Sequence, residues 1–227
     1  MNEKVVSIQA GVGAVHLVIT ENGFFLVDTG SPGKEQKILK AITSRGMKPE
    51  GLSFIFLTHT HFDHAGSAAQ LKKLTGAKII VQALEAGKLS SGYSGTPNGT
   101  NPLFKGISWL GKKFKSPLNV YEPVEPDVVF EEKLDLAEYG IKGHIIHTPG
   151  HTSGSSSLIL GTRAFVGDTI FHWGKFIYPP FANDELSVMK SWKNLLNLNV
   201  NTYYPAHGKP LPKSTVLKVY EKMKRKK

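Results

Sequence analysis

Short apolar runs, separated by polar loops and amphipathic stretches, recur along both halves of the chain. In the first half they predict strands at residues 5–8, 12–19, 24–27, 52–57 and 78–81. In the second half they predict strands at residues 128–130, 134–136, 144–147, 156–160, 164–166 and 202–204. Apolar positions at helical spacing predict helices at residues 34–45, 67–74, 184–196 and 212–224. Each half runs from strands to helices, which predicts one α/β domain of two similar halves over residues 1–227.

The largely apolar run at residues 52–57 predicts a buried strand that ends at a cluster of metal-binding residue types. The cluster contains His59, His61, Asp63 and His64 within six positions. His59 and His61 project to the same side of an extended strand end, because side chains alternate with period two. A helix beginning near Asp63 would turn Asp63 and His64 back toward the same pocket. A catalytic zinc keeps a position open for water, so four ligands on one bend indicate two metals; the weaker alternative is a chance cluster of surface histidines.

Three further ligand-type residues follow other predicted strands. His151 lies in a tight loop after a strand, Asp168 comes directly after an apolar run, and His207 follows a third strand. Each of the three stands directly beside a glycine. One such residue alone would be weak evidence. Three separate strand ends, each finishing in such a residue, are harder to explain as ordinary polar surface residues and make all three candidate metal ligands.

Composition narrows the chemistry and the compartment. The chain has no cysteine, which excludes disulfides, thiolate metal sites and cysteine nucleophiles. Histidine and carboxylate side chains are therefore the expected metal ligands. No run of about 18 apolar residues predicts a membrane-spanning helix. The first residues lack the basic and apolar regions of a signal peptide, so we expect a cytoplasmic protein.

The chain is basic, with 28 Lys and Arg against 18 Asp and Glu and a formal net charge of +10. Such a balance can indicate nucleic acid, an anionic membrane surface, an acidic substrate or an ordinary solvated surface. Five of the positive charges lie in the tail at residues 221–227. Cations in a last helical turn complement the helix dipole, and we favour this interpretation over nucleic-acid binding.

The segment at residues 92–123 interrupts the alternation of strands and helices. Its first part, residues 92–99, has the composition of a loop. Its second part has apolar residues near helical spacing with lysines among them: Leu103, Phe104, Ile107, Leu110 and Phe114, with Lys105, Lys112, Lys113 and Lys115. We predict an inserted lid or a homodimer contact. A plain surface helix and a membrane-surface helix are the alternatives.

These motifs together resemble the metallo-β-lactamase superfamily. The resemblance consists of His-x-His-x-Asp-His at residues 59–64, the single His151, Asp168 and His207, and an Asp-Thr-Gly loop at residues 28–30. It spans roughly residues 12–208. The family implies a four-layer αβ/βα sandwich that holds its metals at one edge between two sheets.

The resemblance also implies a ligand set and a reaction. One metal would be bound by His59, His61 and His151, the other by Asp63, His64 and His207, with Asp168 as the bridge. We expect two Zn²⁺ ions, with iron or manganese as alternatives, and a shared, activated water that attacks a carbonyl. Asp63 is also the candidate general base or proton shuttle. Asp28 is expected to fix a loop or to orient a ligand imidazole from outside the ligand set.

Departures from individual branches of the family narrow the small-molecule substrate. The bridging Asp168 and the absence of cysteine argue against antibiotic hydrolysis. They resemble the hydroxyacylglutathione hydrolase (glyoxalase II) and lactonase branches, which implies an ester, thioester or lactone. Acyl-homoserine lactonases usually carry a tyrosine three residues after the bridging aspartate, where this chain has Phe171. His172 and Tyr178 are the candidates to replace that hydroxyl donor.

Three other functions stay open from the sequence. The first is a metal-dependent phosphodiesterase or nuclease, which the positive charge supports modestly. The chain has no room for the large inserted domain of the nucleic-acid-cleaving branch and no recognised RNA-binding module, so a nucleic-acid partner is disfavoured. The second is a mononuclear iron sulfur dioxygenase on the same scaffold. The third is a binding module without catalysis, against which the complete ligand set argues.

Overall fold

A computed structural model describes residues 3–114, 116, 119–174 and 176–225 of the protein. Two of the predictions extend past these residues. Lys115 of the segment at residues 92–123, and Lys226 and Lys227 of the basic tail, lie outside the described part of the chain.

The first half of the chain forms a six-stranded sheet whose strands pair in chain order. The strands are β1 (Lys4–Gln9), β2 (Ala14–Thr20), β3 (Gly23–Val27), β4 (Leu52–Phe56), β5 (Lys78–Gln82) and β6 (Val128–Phe130). The strands from β1 to β3 are antiparallel, whereas those from β3 to β6 run parallel. Parallel neighbours need long crossover connections, and helices supply them. The helices are α1 (Glu35–Thr43), α2 (Phe62–Ala65), α3 (Ala68–Thr75), α4 (Ala83–Ser91) and α5 (Pro102–Lys113).

The second half forms another six-stranded sheet. Its strands are β7 (Lys133–Asp135), β8 (Gly143–His147), β9 (Ser156–Leu160), β10 (Arg163–Gly167), β11 (Thr202–Pro205) and β12 (Leu211–Pro212), in the order β12-β11-β10-β9-β8-β7. Only the β10–β11 pair among these is parallel. Its crossover carries α6 (Glu185–Asn197), and α7 (Lys213–Lys224) follows β12.

Side-chain alternation within the strands builds four layers. Along β3, Phe25 and Val27 face the core between the two sheets, whereas Phe24 and Leu26 face the helices of the first half. Phe25 stacks on Phe54 in the inter-sheet core, with ring centroids 4.6 Å apart. A third apolar cluster packs the second sheet against α6 and α7. The predicted four-layer αβ/βα sandwich is therefore confirmed.

Most strand predictions agree with the structure within one or two residues, and the differences have local causes. The strand predicted from residue 12 begins at Ala14, because the Ala10 N–H donates to the Gly13 carbonyl oxygen at 3.0 Å and closes a turn. Gly11 in this turn has a φ of +93°, which suits glycine. Helix α4 and the short strand β12 were missing from the prediction. In α4 the Gln82 side chain accepts from the Leu84 N–H, an N-cap outside the usual Ser, Thr, Asp and Asn.

Helix α5 occupies the second part of the segment at residues 92–123, where the apolar spacing indicated a helix. Asn101 caps its first turn by accepting from the Phe104 N–H at 3.2 Å. Several of its apolar side chains are exposed, among them Leu103 at 69% and Trp109 at 59%. Within the part of the chain that is described, no helix is long and apolar enough to cross a membrane.

Candidate metal centre

The loop after β4 carries four of the predicted ligands to the edge between the two sheets. The end of the strand is packed on both faces, because Phe54 and Phe56 are buried between the sheets while Ile55 is buried against the helices of the first half. His61 is still extended, with φ −65° and ψ 154°, and α2 begins at the next residue. Asp63 and His64 therefore lie on a helical turn while His59 precedes it. The chain turns near Asp63 as the sequence predicted.

Three buried imidazoles from two loops face one point. His59 Nε2 lies 3.0 Å from His61 Nδ1, and His151 Nε2 lies 3.1 Å and 2.9 Å from these two atoms. The other ring nitrogen of His151 contacts the Phe181 carbonyl oxygen at 2.8 Å. A carbonyl only accepts, so Nδ1 of His151 carries the proton and Nε2 presents a lone pair. Tetrahedral zinc with bonds of about 2.0–2.1 Å would separate its ligand nitrogens by about 3.3 Å, close to these distances.

A second group lies beside the first and includes two carboxylates. His207 Nε2 is 3.3 Å from Asp63 Oδ2, and His64 Nε2 is 3.9 Å from Asp63 Oδ1. Asp168 Oδ1 lies 3.4 Å from both His64 Nε2 and His207 Nε2. The other oxygen of Asp168, Oδ2, lies 3.7 Å from His151 Nε2 in the first group. The two oxygens of one carboxylate thus face the two groups separately.

Two atoms at the centre of this arrangement have no hydrogen bond. His64 Nε2 and Asp168 Oδ1 are buried and lack a hydrogen-bond partner among the described residues, although they lie 3.4 Å apart. Buried polar atoms are rarely left unpaired, because the loss of hydration is not compensated. A cation that takes the lone pairs of both atoms would satisfy them. The donor set and these two atoms therefore fit a bound metal.

Asp28 holds His64 from the side away from this centre. Its Oδ2 lies 2.9 Å from His64 Nδ1, and its Oδ1 accepts from the Thr58 N–H at 2.8 Å. Asp28 has a φ of +64°, the only positive φ outside glycine in the described chain. Non-glycine residues in this region are uncommon, and such strain concentrates at functional sites. The carboxylate–imidazole contact expected of Asp28 is therefore present.

Glu85 supports the first group, although its sequence context did not predict a role in the site. This buried carboxylate accepts from the Thr60 N–H at 3.0 Å, from the Thr60 hydroxyl and from the Gly154 N–H at 3.3 Å. Thr60 stands between two predicted ligands, and Gly154 follows a third. Burial alone would raise the pKa of Glu85, but the Lys88 ammonium at 2.7 Å and hydrogen bonds with Thr60 and Thr152 lower it below its ordinary value. The one sequence signal was the Glu85–Lys88 spacing on α4, and that helix was not predicted.

Burial sets the charge of the three imidazoles in the first group. Burial lowers the pKa of His59, His61 and His151 below the ordinary value, and neighbouring imidazoles add to the effect. The pKa of His61 falls to about 3. The rings are neutral at pH 7, which is the form that binds metal.

In the metal-free protein, the pKa values of the imidazoles in the second group are raised, whereas those in the first group are lowered. Burial lowers the pKa of His64 and His207, but neighbouring carboxylates, chiefly Asp168, outweigh burial. The pKa of His207 rises to about 10, and that of His64 lies well above its ordinary value. Asp63 adds to the effect on both rings. A group of carboxylates that holds protons on two imidazoles attracts positive charge, as a metal site must.

Comparison with known proteins identifies the family. The sequence profile described as "Metallo-beta-lactamase superfamily" matches residues 8–207. The chain belongs to the metallo-beta-lactamase superfamily. This confirms the resemblance, and a superfamily of metal-dependent hydrolases implies a divalent metal at the clusters described above.

Three curated relatives agree with this assignment at low identity. The chain is 28% identical over 187 residues to "Probable metallo-hydrolase MJ0888" of Methanocaldococcus jannaschii, covering 81% of this chain and 82% of that protein. It is 27% identical over 157 residues to the hydroxyacylglutathione hydrolase GloC of Haemophilus influenzae, covering 68% and 64%. It is 28% identical over 171 residues to an N-acyl homoserine lactonase of a Bacillus species, covering 65% and 58%. The chain thus spans less than two thirds of the last two relatives.

Solved structures of the superfamily share the fold. The archaeal superfamily protein ST1585 of Sulfolobus tokodaii superposes with a TM-score of 0.69 at 22% identity, over 98% of this chain and 87% of that one. TTHA1623 in a di-iron-bound form superposes with a TM-score of 0.68 at 23% identity, over 93% and 96%. At these identities the likeness establishes the architecture alone.

The two candidate replacements for a tyrosine hydroxyl occupy different places in this superfamily member. His172 lines the cavity in front of the cluster, and its Nδ1 lies 2.8 Å from the Lys209 carbonyl oxygen. That oxygen only accepts, so Nδ1 holds the proton and Nε2 of the neutral ring can accept but not donate. The Tyr178 hydroxyl instead donates to Glu185 Oε2 at 3.0 Å, and its ring packs near Trp192.

A cavity of about 540 Å³ opens directly in front of the predicted ligands. Its polar end is formed by His61, Asp63, His151, Asp168 and His207. Residues of α5 and of the loop between β10 and α6 also line it. The seven predicted metal ligands therefore converge at one end of a cavity large enough for a small-molecule substrate.

Proposed function

We propose that the protein is a dinuclear zinc hydrolase that cleaves an ester, thioester or lactone. The observation that carries this proposal is the position of Asp168, whose Oδ1 faces His64 and His207 and whose Oδ2 faces His151. A single carboxylate that reaches two groups of ligands suits two cations side by side. The groups would be His59, His61 and His151 on one side and Asp63, His64 and His207 on the other, with Asp168 between them.

Such a pair of cations, when bound, would lower the pKa of a shared water toward about 7 and polarise the carbonyl oxygen under attack. The side chain of Asp63 is 12% exposed and lines the cavity, so its carboxylate reaches the substrate side of the site. Burial would raise the pKa of Asp63, but His64 and His207 lower it below its ordinary value. The ionised Asp63 can therefore accept a proton from the attacking water and return it to the leaving group.

Outer contacts orient the ligands before substrate arrives. Asp28 fixes the ring of His64, the Phe181 carbonyl fixes that of His151, and Glu85 fixes the backbone at Thr60. His172 remains a candidate for contact with the substrate from the cavity wall. In its neutral form it would accept a hydrogen bond from the substrate.

The cavity favours a carbonyl substrate over a phosphodiester. None of the residues that line it within the described chain is Lys or Arg, whereas recognition of a phosphate backbone depends on such cations. We therefore favour hydrolysis of a carbonyl substrate over cleavage of a phosphodiester.

The decisive experiment is a hydrolysis panel of thioesters, lactones, phosphodiesters and β-lactams on protein of measured metal content. We expect about two zinc ions per chain. We also expect turnover of thioesters or lactones that is lost on chelation and restored by zinc. One iron and little zinc, or turnover confined to phosphodiesters, would overturn the proposal.

A further inference from the structure

Beyond the predicted ligands, most of the surface that lines the cavity is apolar, and its polar members are Gln9, Thr96, Ser108, Ser116, Asn119 and His172. We infer that the substrate carries an extended apolar acyl group that lies along α5; this rests on the hydrolase proposed above. The polar end of the cavity would hold the carbonyl, and the apolar wall would hold the tail. The inference names a substrate class that neither the family assignment nor the ligand set specifies.

Helix α5 presents two apolar side chains, one turn apart, to the cavity. Phe104 and Ile107 both line it, and the i, i+3 spacing places them on one face of the helix. Phe181 completes this wall, with its ring centroid 5.1 Å from that of Phe104 in an edge-to-face arrangement. Phe171 extends the apolar surface to the ligands, because its ring lies 4.8 Å from that of His207. Aromatic side chains therefore line the same cavity both beside the predicted metal centre and on α5.

Solvent-exposed apolar side chains border the same cavity. Val12 is 61% exposed, Ile107 is 47% exposed and Trp173 is 67% exposed, and all three line it. Apolar side chains that surround a concave surface mark ligand-binding grooves more often than chance exposure. Because this groove is continuous with the predicted ligands, the substrate of the proposed reaction is the occupant that fits it.

Polar contacts among the residues that line the cavity and the adjoining loops hold the apolar side chains in place. The Thr100 N–H donates to the Pro180 carbonyl oxygen at 2.9 Å, which joins the loop before α5 to the loop after β10. Ser108 Oγ on α5 donates to the Pro97 carbonyl oxygen at 2.6 Å. Asn119 Nδ2 donates to Thr96 Oγ1 at 2.6 Å. A wall fixed before binding loses little conformational entropy when an acyl chain packs on it.

The size of the cavity agrees with this assignment. A volume of about 540 Å³ lies within the range of about 300–1,000 Å³ that is usual for small-molecule sites. Its two carboxylates, Asp63 and Asp168, both lie among the predicted ligands, so a substrate with a single polar reactive group and an apolar tail matches the cavity. A substrate with charges along its length would leave those charges against aromatic rings.

The first test is a chain-length series of N-acetylcysteamine thioesters from acetyl to octanoyl, measured on zinc-loaded protein. The leaving group stays constant, so only the acyl tail changes. Each methylene that enters the apolar wall should raise kcat/KM by about fourfold until the cavity is filled. Hydrolysis that does not depend on chain length would overturn the inference and leave the proposed hydrolase intact.

Variants on α5 locate the effect. Ile107→Ala and Phe104→Ala should each lower kcat/KM for the octanoyl thioester by about tenfold, and the loss for the acetyl thioester should be much smaller. Leu103→Ala is the matched control, because Leu103 lies on the same helix, is 69% exposed and does not line the cavity. An equal loss in Leu103→Ala, or an equal loss for both thioesters, would contradict a specific acyl site.

A binding measurement separates failure of this inference from failure of the proposed reaction. The probe is 2-octanone, an uncharged ketone, and its binding to metal-free protein is followed by ligand-observed NMR. Binding that Ile107→Ala weakens and Leu103→Ala does not would support the apolar site even if no thioester is hydrolysed. No binding to the wild-type chain would overturn the inference whether or not thioesters are cleaved.

Discussion

Asp28 Oδ2 lies 2.9 Å from Nδ1 of His64, and this contact turns the opposite ring nitrogen toward Asp168. The same carboxylate accepts the Thr58 N–H at the end of β4, so it joins the strand to the ligand. The positive φ of Asp28 brings the side chain into this position at a cost of about 1–3 kcal/mol. A residue kept in a strained conformation to orient one imidazole indicates that the position of His64 matters to function.

Asp28→Asn tests this contact directly. The amide keeps the size of the side chain but removes the charge that orients and polarises His64. We expect the affinity of the second metal to fall by about 10–100-fold, with a parallel fall in kcat/KM at limiting metal. Metal titration of the apoprotein measures the effect. Asp135→Asn on the exposed strand β7 is the control, and an equal loss there would contradict a specific role for Asp28.

Asp168→Asn and His61→Ala test the ligand set. Both side chains belong to the predicted ligand set. Each substitution should therefore lower turnover at least as much as the removal of a contact outside that set, by at least about a hundredfold. We expect Asp168→Asn to lower the occupancy of both metals and His61→Ala to lower chiefly that of one. Metal analysis with far-UV circular dichroism separates loss of metal from loss of fold. Full activity in either variant would defeat the assignment.

Glu85→Gln tests whether Glu85 positions the ligands of the first group through its hydrogen bonds to the backbone of Thr60 and Gly154. The amide can still accept from the Thr60 N–H but loses its charge-assisted contact with Lys88. We expect the free energy of unfolding of the metal-free protein to fall by about 1–3 kcal/mol. We also expect weaker metal binding, which a merely structural carboxylate would not affect. Urea unfolding and metal titration measure the two effects.

The surface residue Glu138 supplies the control for that experiment, as Glu138→Gln. Equal metal affinity in Glu85→Gln and the wild type would show that Glu85 stabilises the fold without positioning the ligands.

The sequence was sufficient to predict which side chains lie together at the candidate metal centre, because these residues follow strand ends. His151, Asp168 and His207 each come shortly after an apolar run, and strands of one sandwich end at a common edge. The resemblance at residues 59–64 supplied the family, which the comparison confirmed. The four-layer fold followed from the family as well as from the order of elements.

Contacts between residues far apart in the sequence could not be predicted from local patterns of apolar and polar residues. Glu85 meets Gly154 across 69 positions, and no periodicity in either segment indicates their contact. Asp28 combines a positive φ with side-chain contacts to Thr58 and His64, which lie 30 and 36 positions away, so a local sequence motif cannot reveal this arrangement. Likewise the role open to His172 depends on which ring nitrogen meets the Lys209 carbonyl oxygen.

The lowered pKa of His16 predicts how the free energy of unfolding depends on pH. The ring is 2% exposed, and it joins the two sheets because its Nε2 lies 3.2 Å from the Pro205 carbonyl oxygen while Nδ1 lies 3.0 Å from Ser7 Oγ. Burial lowers the pKa of His16 from 6.5 to about 4. Between pH 4 and pH 6.5, His16 is protonated in the unfolded chain and neutral in the folded protein. The stabilisation is therefore complete above about pH 6.5 and is lost as the pH falls toward 4, by about 3 kcal/mol in total.

His16→Gln keeps a polar side chain at this position and removes the titration. Its free energy of unfolding should lie below that of the wild type at pH 7, and the difference should shrink by about 2–3 kcal/mol at pH 4. Urea unfolding of metal-free protein at pH 7, 5.5 and 4 measures it. The other buried histidines titrate in both proteins, so the difference isolates His16. A difference that stays constant over this range would show that His16 takes up its proton equally in the folded and unfolded states.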